Sequence, residues 1–284
     1  MSTPETGTLA VAGARLHFEV RGTGPLLLLI AGGNSDAAVF DPMATALAEN
    51  HRVLTYDPRG NSRSPLDGPP VDQRIDVHTD DAYRLLGHVA AAGESARVFG
   101  SCSGGLVALE LAVRHPDRIR SAVVHEPPAL ALLPDAEAHA VFIDDVHETF
   151  RRDGVAPAMR KLNALFGGRP APVLPQAHDN TAFFLAHTMR PFTRVVPDVT
   201  AAAAAAAAAA GRIVVAGGRA SSTQIIHRPA AVLAERIGQE LTEFPGGHIG
   251  YAKWPTEFAE RLVGVFAAVP RAGRVPEPAE ACDM

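Results

Sequence analysis

The chain has 284 residues, 47% of them hydrophobic and 20% charged, with 26 lysines and arginines against 31 aspartates and glutamates and a formal net charge of −5. That balance suits one large domain, or one domain with an insertion, whose core needs no staples. It offers no basic patch for nucleic acid, and two distant cysteines, Cys102 and Cys282, make no disulfide framework.

In chain order, Thr8–Ala12 and Leu16–Val20 read as a hairpin turning at Gly13. Leu26–Ala31 is a continuous apolar run, as in a strand buried on both faces. A helix over Phe40–Glu49 follows, then a strand over Val53–Tyr56, a helix over Asp76–Ala92 and a strand over Arg97–Gly100. Leu106–Arg114 is helical up to Pro116, and Ser121–His125 is a strand that Pro127 and Pro128 stop, because proline cannot donate to the ladder. Further on come a strand over Arg212–Ala216, a helix over Pro229–Ile237, a strand over Glu240–Phe244 and a helix over Thr256–Ala267. Such alternation predicts an α/β fold with a mostly parallel sheet and helices on both faces.

Between about Leu130 and Asp198 the rhythm breaks into helices alone: Ala138–Arg152, Val155–Phe166 and Thr181–Met189. The expected organisation is a core over residues 1–129 and 199–270, a helical cap over 130–198 covering the crevice at the strands' carboxyl ends, and a disordered Pro-rich tail over 271–284. Ten consecutive alanines, Ala201–Ala210, read as a helix on the sheet. The first residues lack the charged and apolar regions of a signal peptide, and the run Leu26–Ala31 is too short to cross a bilayer. A soluble cytoplasmic protein with no membrane partner is therefore expected. The oligomeric state stays open, with a homodimer among the options.

The segment Gly100-Ser101-Cys102-Ser103-Gly104 lies between a strand and a helix. That is the layout of a nucleophile elbow, G-x-Nu-x-G, whose tight turn leaves no room for Cβ atoms at its outer positions. Centring the turn on Cys102 places Gly100 and Gly104 at those positions; centring it on Ser103 fits less well. At the elbow the nucleophile meets a helix N-terminus, which stabilises negative charge such as a thiolate.

On this motif the chain resembles the α/β-hydrolase superfamily, in particular small bacterial members with a helical cap. The resemblance implies an eight-stranded α/β-hydrolase sheet and the chain order nucleophile, acid, histidine. Serine usually holds the position of Cys102, although dienelactone hydrolases and polyhydroxyalkanoate synthases use cysteine. Gly246-Gly247-His248, after the last strand, makes His248 the general base, and the remaining histidines read as surface or core residues. The family's oxyanion hole maps onto the backbone N–H groups of Ser103 and Gly33, with Ala31 where a histidine is usual.

The family's acid position falls at or near Ala220, and no carboxylate occurs between Gly211 and Glu235. Two readings stand. Glu126, after the strand Ser121–His125, serves as the acid, as in members that carry it one strand earlier; or there is no acid, which a cysteine tolerates better than a serine. Accordingly, the expected function is attack of Cys102 on an ester, lactone or thioester through a thioester intermediate, leading to hydrolysis or acyl transfer. The alternative is a repurposed cyclase, lyase or binding protein of the same fold. Phe183, His187 and Phe192 in the cap are candidate contacts for a small-molecule substrate. No Cys/His cluster has metal-ligand spacing and no glycine-rich phosphate loop is present, so neither metal nor cofactor is expected.

Overall fold

The computed structural model describes residues 3–168, 177–208 and 212–269. The expected disordered tail and Cys282 lie outside those residues.

Eight strands form one sheet: β1 (Glu5–Val11), β2 (Ala14–Arg21), β3 (Leu26–Ile30), β4 (Arg52–Tyr56), β5 (Ala96–Ser101), β6 (Ile119–His125), β7 (Ile213–Gly218) and β8 (Thr242–Phe244). Their order is β1-β2-β4-β3-β5-β6-β7-β8. The hairpin β1–β2 and the β2–β4 pair are antiparallel, and every later pair is parallel.

The helices are α1 (Asp41–Leu47), α2 (Ile75–Val89), α3 (Ser103–Arg114), α4 (Ala136–Asp153), α5 (Val155–Leu162), α6 (Ala177–Phe183), α7 (Met189–Thr193), α8 (Val199–Ala208), α9 (Arg228–Arg236), α10 (Gly250–Lys253) and α11 (Pro255–Ala268). Alternate residues of β3 feed opposite layers. Leu26, Leu28 and Ile30 pack with Leu85, Leu106 and Leu233 from α2, α3 and α9. Leu27 and Leu29 pack with Met43 of α1 and Phe258 and Leu262 of α11. All five residues of β3 are buried, so its unbroken apolar run follows from helices on both faces.

Three expected helices differ from the structure, and the one expected over Val155–Phe166 is α5 followed by a 3₁₀ turn, Asn163–Phe166. The segment expected over Phe40–Glu49 starts as a 3₁₀ turn, Ala37–Phe40, which Asp36 caps by accepting the Ala38 N–H; Pro42 then opens α1. The helix expected over Thr181–Met189 is α6 and α7 joined by a π-helical turn, Phe184–Thr188. The short helix α10 was not expected, since the glycines around His248 read as loop. In the alanine run, Ala202 and Ala206 are buried on the main core, and methyl side chains let α8 lie close to α3.

The helices between β6 and β7 bury a small core of their own, including Leu130, Ile143, Val146, Leu162, Leu185 and Met189. Polar contacts fasten α6 to the β4–α2 loop. Asn180 accepts the Ser62 N–H at 2.7 Å and donates to Ser62 Oγ at 2.8 Å. Ser62 Oγ in turn donates to Asp36 at 2.6 Å.

Candidate active site

The elbow is formed at the end of β5, and its geometry decides the frame. Cys102 has φ 55° and ψ −128°, whereas Ser103 is the first residue of α3. A positive φ is costly for any residue but glycine, and the frame of the elbow imposes it on Cys102 alone. A Cβ on Gly100 would sit 2.0 Å from the Gly104 carbonyl oxygen, and one on Gly104 would sit 2.2 Å from the Ile30 oxygen. The two small positions therefore frame Cys102, as the motif requires. Cys102 is a free thiol and partly accessible. Its backbone N–H donates to His125 O at 3.0 Å, tying the turn to β6.

Glu126, directly after β6, is fully buried. Like Cys102 it has a positive φ, 42°. Its Oε2 accepts the Nδ1–H of His248 at 2.8 Å. Its Oε1 accepts Gly218 N–H at 2.8 Å, His227 Nδ1–H at 2.9 Å and the Ser221 hydroxyl. Burial by itself raises the carboxyl's pKa, but the bonds from His227 and His248 and the nearby imidazole charges outweigh it and hold the group well below the usual carboxylate range. An ionised carboxylate has no proton to give, so both imidazoles donate through Nδ1. For His248, burial lowers the pKa, but hydrogen bonding to Cys102 and Glu126 overrides it and pushes the value up to about 10. The ring thus lies between thiol and carboxylate.

Ala220, where the family's aspartate is expected, sits exposed in the 3₁₀ turn Arg219–Ser221. Of the two readings of the acid, the geometry matches the one that names Glu126: this carboxylate, carried just after the neighbouring strand β6, binds His248.

Gly33 lies beside the elbow, and its N–H donates to Ser103 Oγ at 2.8 Å. Ser103 opens α3, where first-turn N–H groups have no partner inside the helix. Of Phe183, His187 and Phe192, the expected substrate contacts, none is drawn into the Cys102–His248–Glu126 cluster. Phe183 covers Gly60. His187 Nδ1 is 3.4 Å from Asp72 Oδ1. Phe192 is buried edge-on to His78 and lines a small cavity beside Ser103 and Gly33.

Sequence reasoning missed other neighbours. Phe166 packs on the His248 ring with centroids 5.1 Å apart. Ser101 Oγ and His125 Nδ1 are 3.0 Å apart behind the elbow, and the buried Tyr251 hydroxyl bonds to Ser101. Burial and the charge of Cys102 push the Tyr251 phenol far above its ordinary range, so it stays protonated. His227 was read as an ordinary surface or core histidine. Nothing local marks it, since its contact with Glu126 spans 101 positions.

A model of the alpha/beta hydrolase fold matches residues 25–194. The chain belongs to the α/β-hydrolase family. Within the family it is 36% identical over 262 residues to the hydrolase YraK of Bacillus subtilis (strain 168), covering 92% of this chain and 95% of that protein. It is 27% identical to the zearalenone hydrolase of Bionectria ochroleuca, covering 88% and 93% of the two chains. The bromoperoxidase structure from Bacillus anthracis superposes with a TM-score of 0.72 over 93% of this chain and all of that one (100%), at 19% identity, a likeness of fold. Among the described residues no group of three or more His, Cys, Asp or Glu side chains is arranged to hold a metal ion. No described helix is long and apolar enough to cross a membrane.

Proposed function

We propose that this chain is a hydrolase, or an acyltransferase, that works through a covalent thioester on Cys102. The observation that carries the reading is the 2.8 Å bond from His248 to Glu126, made by an imidazole that also hydrogen-bonds Cys102. That is a nucleophile, a base and an orienting acid in contact order.

In the first half-reaction Cys102 Sγ attacks the carbonyl carbon of an ester, lactone or thioester. The carbonyl π electrons move onto oxygen, and the N–H groups of Ser103 and Gly33 stabilise the developing charge. Loss of one such donor typically costs about 3 kcal/mol of transition-state stabilisation. The bond to the leaving group breaks, and the leaving group takes the proton held on His248 Nε2. In the second half, His248 deprotonates water or another acceptor, which attacks the thioester, and the cysteine is released. Glu126 stays ionised throughout and keeps the ring oriented.

Gly33 N–H is engaged by Ser103 Oγ, so substrate oxygen binding requires that hydroxyl to turn aside or to share the donor. The helices between β6 and β7 act as a cap, and Phe166 forms an apolar roof over His248 that suits an apolar acyl group. Two cysteines in the whole chain and an unremarkable charge balance support work in the cytoplasm on a small molecule.

Mass spectrometry after mixing with p-nitrophenyl acetate tests the reading. The parent protein should gain one acyl group, and the digest should place it on Cys102. In Cys102→Ala both the adduct and p-nitrophenol release should fall to background. Unchanged turnover in Cys102→Ala removes the nucleophile assignment.

A further inference from the structure

His227 stands at the start of α9, 21 residues before the catalytic histidine of the proposed reading, yet it shares that histidine's carboxylate. Its side chain is 11% exposed, and that of Glu126 is 0% exposed. The division of Glu126 is uneven. One oxygen takes three donors: Gly218 N–H, Ser221 Oγ–H and His227 Nδ1–H. Among the described residues the other oxygen takes only His248 Nδ1–H. All three donors on the crowded oxygen come from β7 and the chain just after it, the stretch in which the family's acid is expected and in which no carboxylate occurs.

Space for the ring is built into the strand. A Cβ on Gly217 would lie 2.5 Å from His227 Cε1 and 2.8 Å from its Nδ1, so only glycine lets the imidazole reach Glu126. Ser221 is itself fully buried. The backbone of Glu126 is held as well, its N–H donating to Ala216 O at 3.0 Å. The segment that would ordinarily carry the acid has become a receptor for an acid borne by the adjacent strand.

We propose that His227 is a positioning residue: with Ser221 and Gly218 it anchors Glu126 Oε1, so that Oε2 remains aimed at His248 and keeps that ring directed at Cys102. This rests on the reading of Glu126 and His248 as the acid and base of the site. A glutamate reaching in from β6 is longer and freer than an aspartate in the β7 loop, and it gains most from a second imidazole. Buried carboxylates are held by complete donor sets, and the scale expected by analogy is that of hydrogen-bond partners that orient metal-bound side chains, about 10- to 100-fold in activity.

The test compares His227→Phe, which keeps a ring but loses the donor, with His227→Asn, whose amide N–H₂ takes nearly the place of Nδ1–H. Three readouts are followed in the full chain: kcat and KM for p-nitrophenyl acetate, the low-field proton resonance of the His248–Glu126 bond, and the folded circular dichroism spectrum. His227→Phe should lower kcat by about 10- to 100-fold with KM within about twofold of the parent, and lose or broaden the resonance. His227→Asn should recover most of both. Parent-like kcat and resonance in His227→Phe overturn the proposal, as does a loss that His227→Asn fails to repair.

Should the phenylalanine variant not fold, His227→Ala assayed with and without added imidazole replaces it. Recovery on adding imidazole supports the anchor; a kcat that is parent-like without imidazole, or unmoved by it, overturns it. Glu126→Gln and His248→Gln are run alongside. If they too keep parent activity, the acid–base reading itself has failed; if they collapse while His227→Phe does not, only the role of His227 falls.

Discussion

Glu126 and Cys102 share an uncommon property: both are non-glycine residues held at positive φ, and among the described residues only Ser62 joins them. Backbone strain of order 1–3 kcal/mol per residue persists only where surroundings over-determine the conformation. At Cys102 the glycines of the elbow do this, and at Glu126 four hydrogen bonds to its carboxylate do it. On the proposed reading of Glu126 as the acid, that role cannot simply be moved back to the β7 loop. Glu126→Gln should lower kcat by about 10²–10⁴-fold, because an uncharged amide no longer stabilises the imidazolium or selects its tautomer. Adding Ala220→Asp to that variant should restore nothing, since residue 220 is exposed. Steady-state kinetics of the single and double variants check this; recovery in the double variant would place the acid site at residue 220 after all.

At the scale of elements, the helices between β6 and β7 reach the site, among the described residues, through a few contacts. Phe166 touches His248, and α6 is fastened to the β4–α2 loop through Asn180, Ser62 and Asp36. The π-helical turn between α6 and α7 breaks an otherwise continuous helix next to these contacts, and such turns are frequent near functional sites. Replacing Asn180 with alanine removes two hydrogen bonds from a buried side chain, worth about 1–2 kcal/mol in net stability. Asn180→Ala should show faster amide exchange in α6 and a raised KM, while alkylation of Cys102 by iodoacetamide keeps its rate. Hydrogen-exchange mass spectrometry with the kinetics reads both; unaltered exchange in α6 would show that the clasp does not hold the helix.

Across the whole molecule, buried histidines set how stability depends on pH. Burial, aided for His78 by the Arg59 charge, lowers His78 to about 3 and His125 to about 4, from an ordinary 6.5. The unfolded chain takes up these protons first, so their contribution is complete above pH 6.5 and is lost as the pH falls from 6.5 towards 4. His248 acts in the opposite sense. Burial disfavours its charge, yet Cys102 and Glu126 raise it from 6.5 to about 10, so its contribution is complete below 6.5 and is lost as the pH rises towards 10. Urea midpoints should thus peak at about pH 7 and decline on both sides. In His248→Gln the alkaline decline should shrink while the acid decline stays; an unchanged alkaline limb would show that His248 does not carry the charge.

Much was legible before any tertiary contact was known. The apolar run of β3, the alternation of strands and helices, and the glycines flanking Cys102 each follow from local physics: burial on two faces, period, and the steric limits of a tight turn. His248 could be found because its loop closes the chain order that starts at the elbow. Glu126 was legible only as one of two readings, because a carboxylate after a strand has many uses. Its partners came from the register that lays β7 beside β6, bringing Gly218, Ser221 and His227 onto one oxygen and leaving the other for His248. His227 and Phe166 had no signal in sequence, because neither belongs to a local pattern and each meets its partner more than 80 residues away. Cys102 and His248 of the proposed site stand in local motifs; the surroundings of Glu126 were decided by strand pairing, since a buried charge is defined by all the donors that surround it.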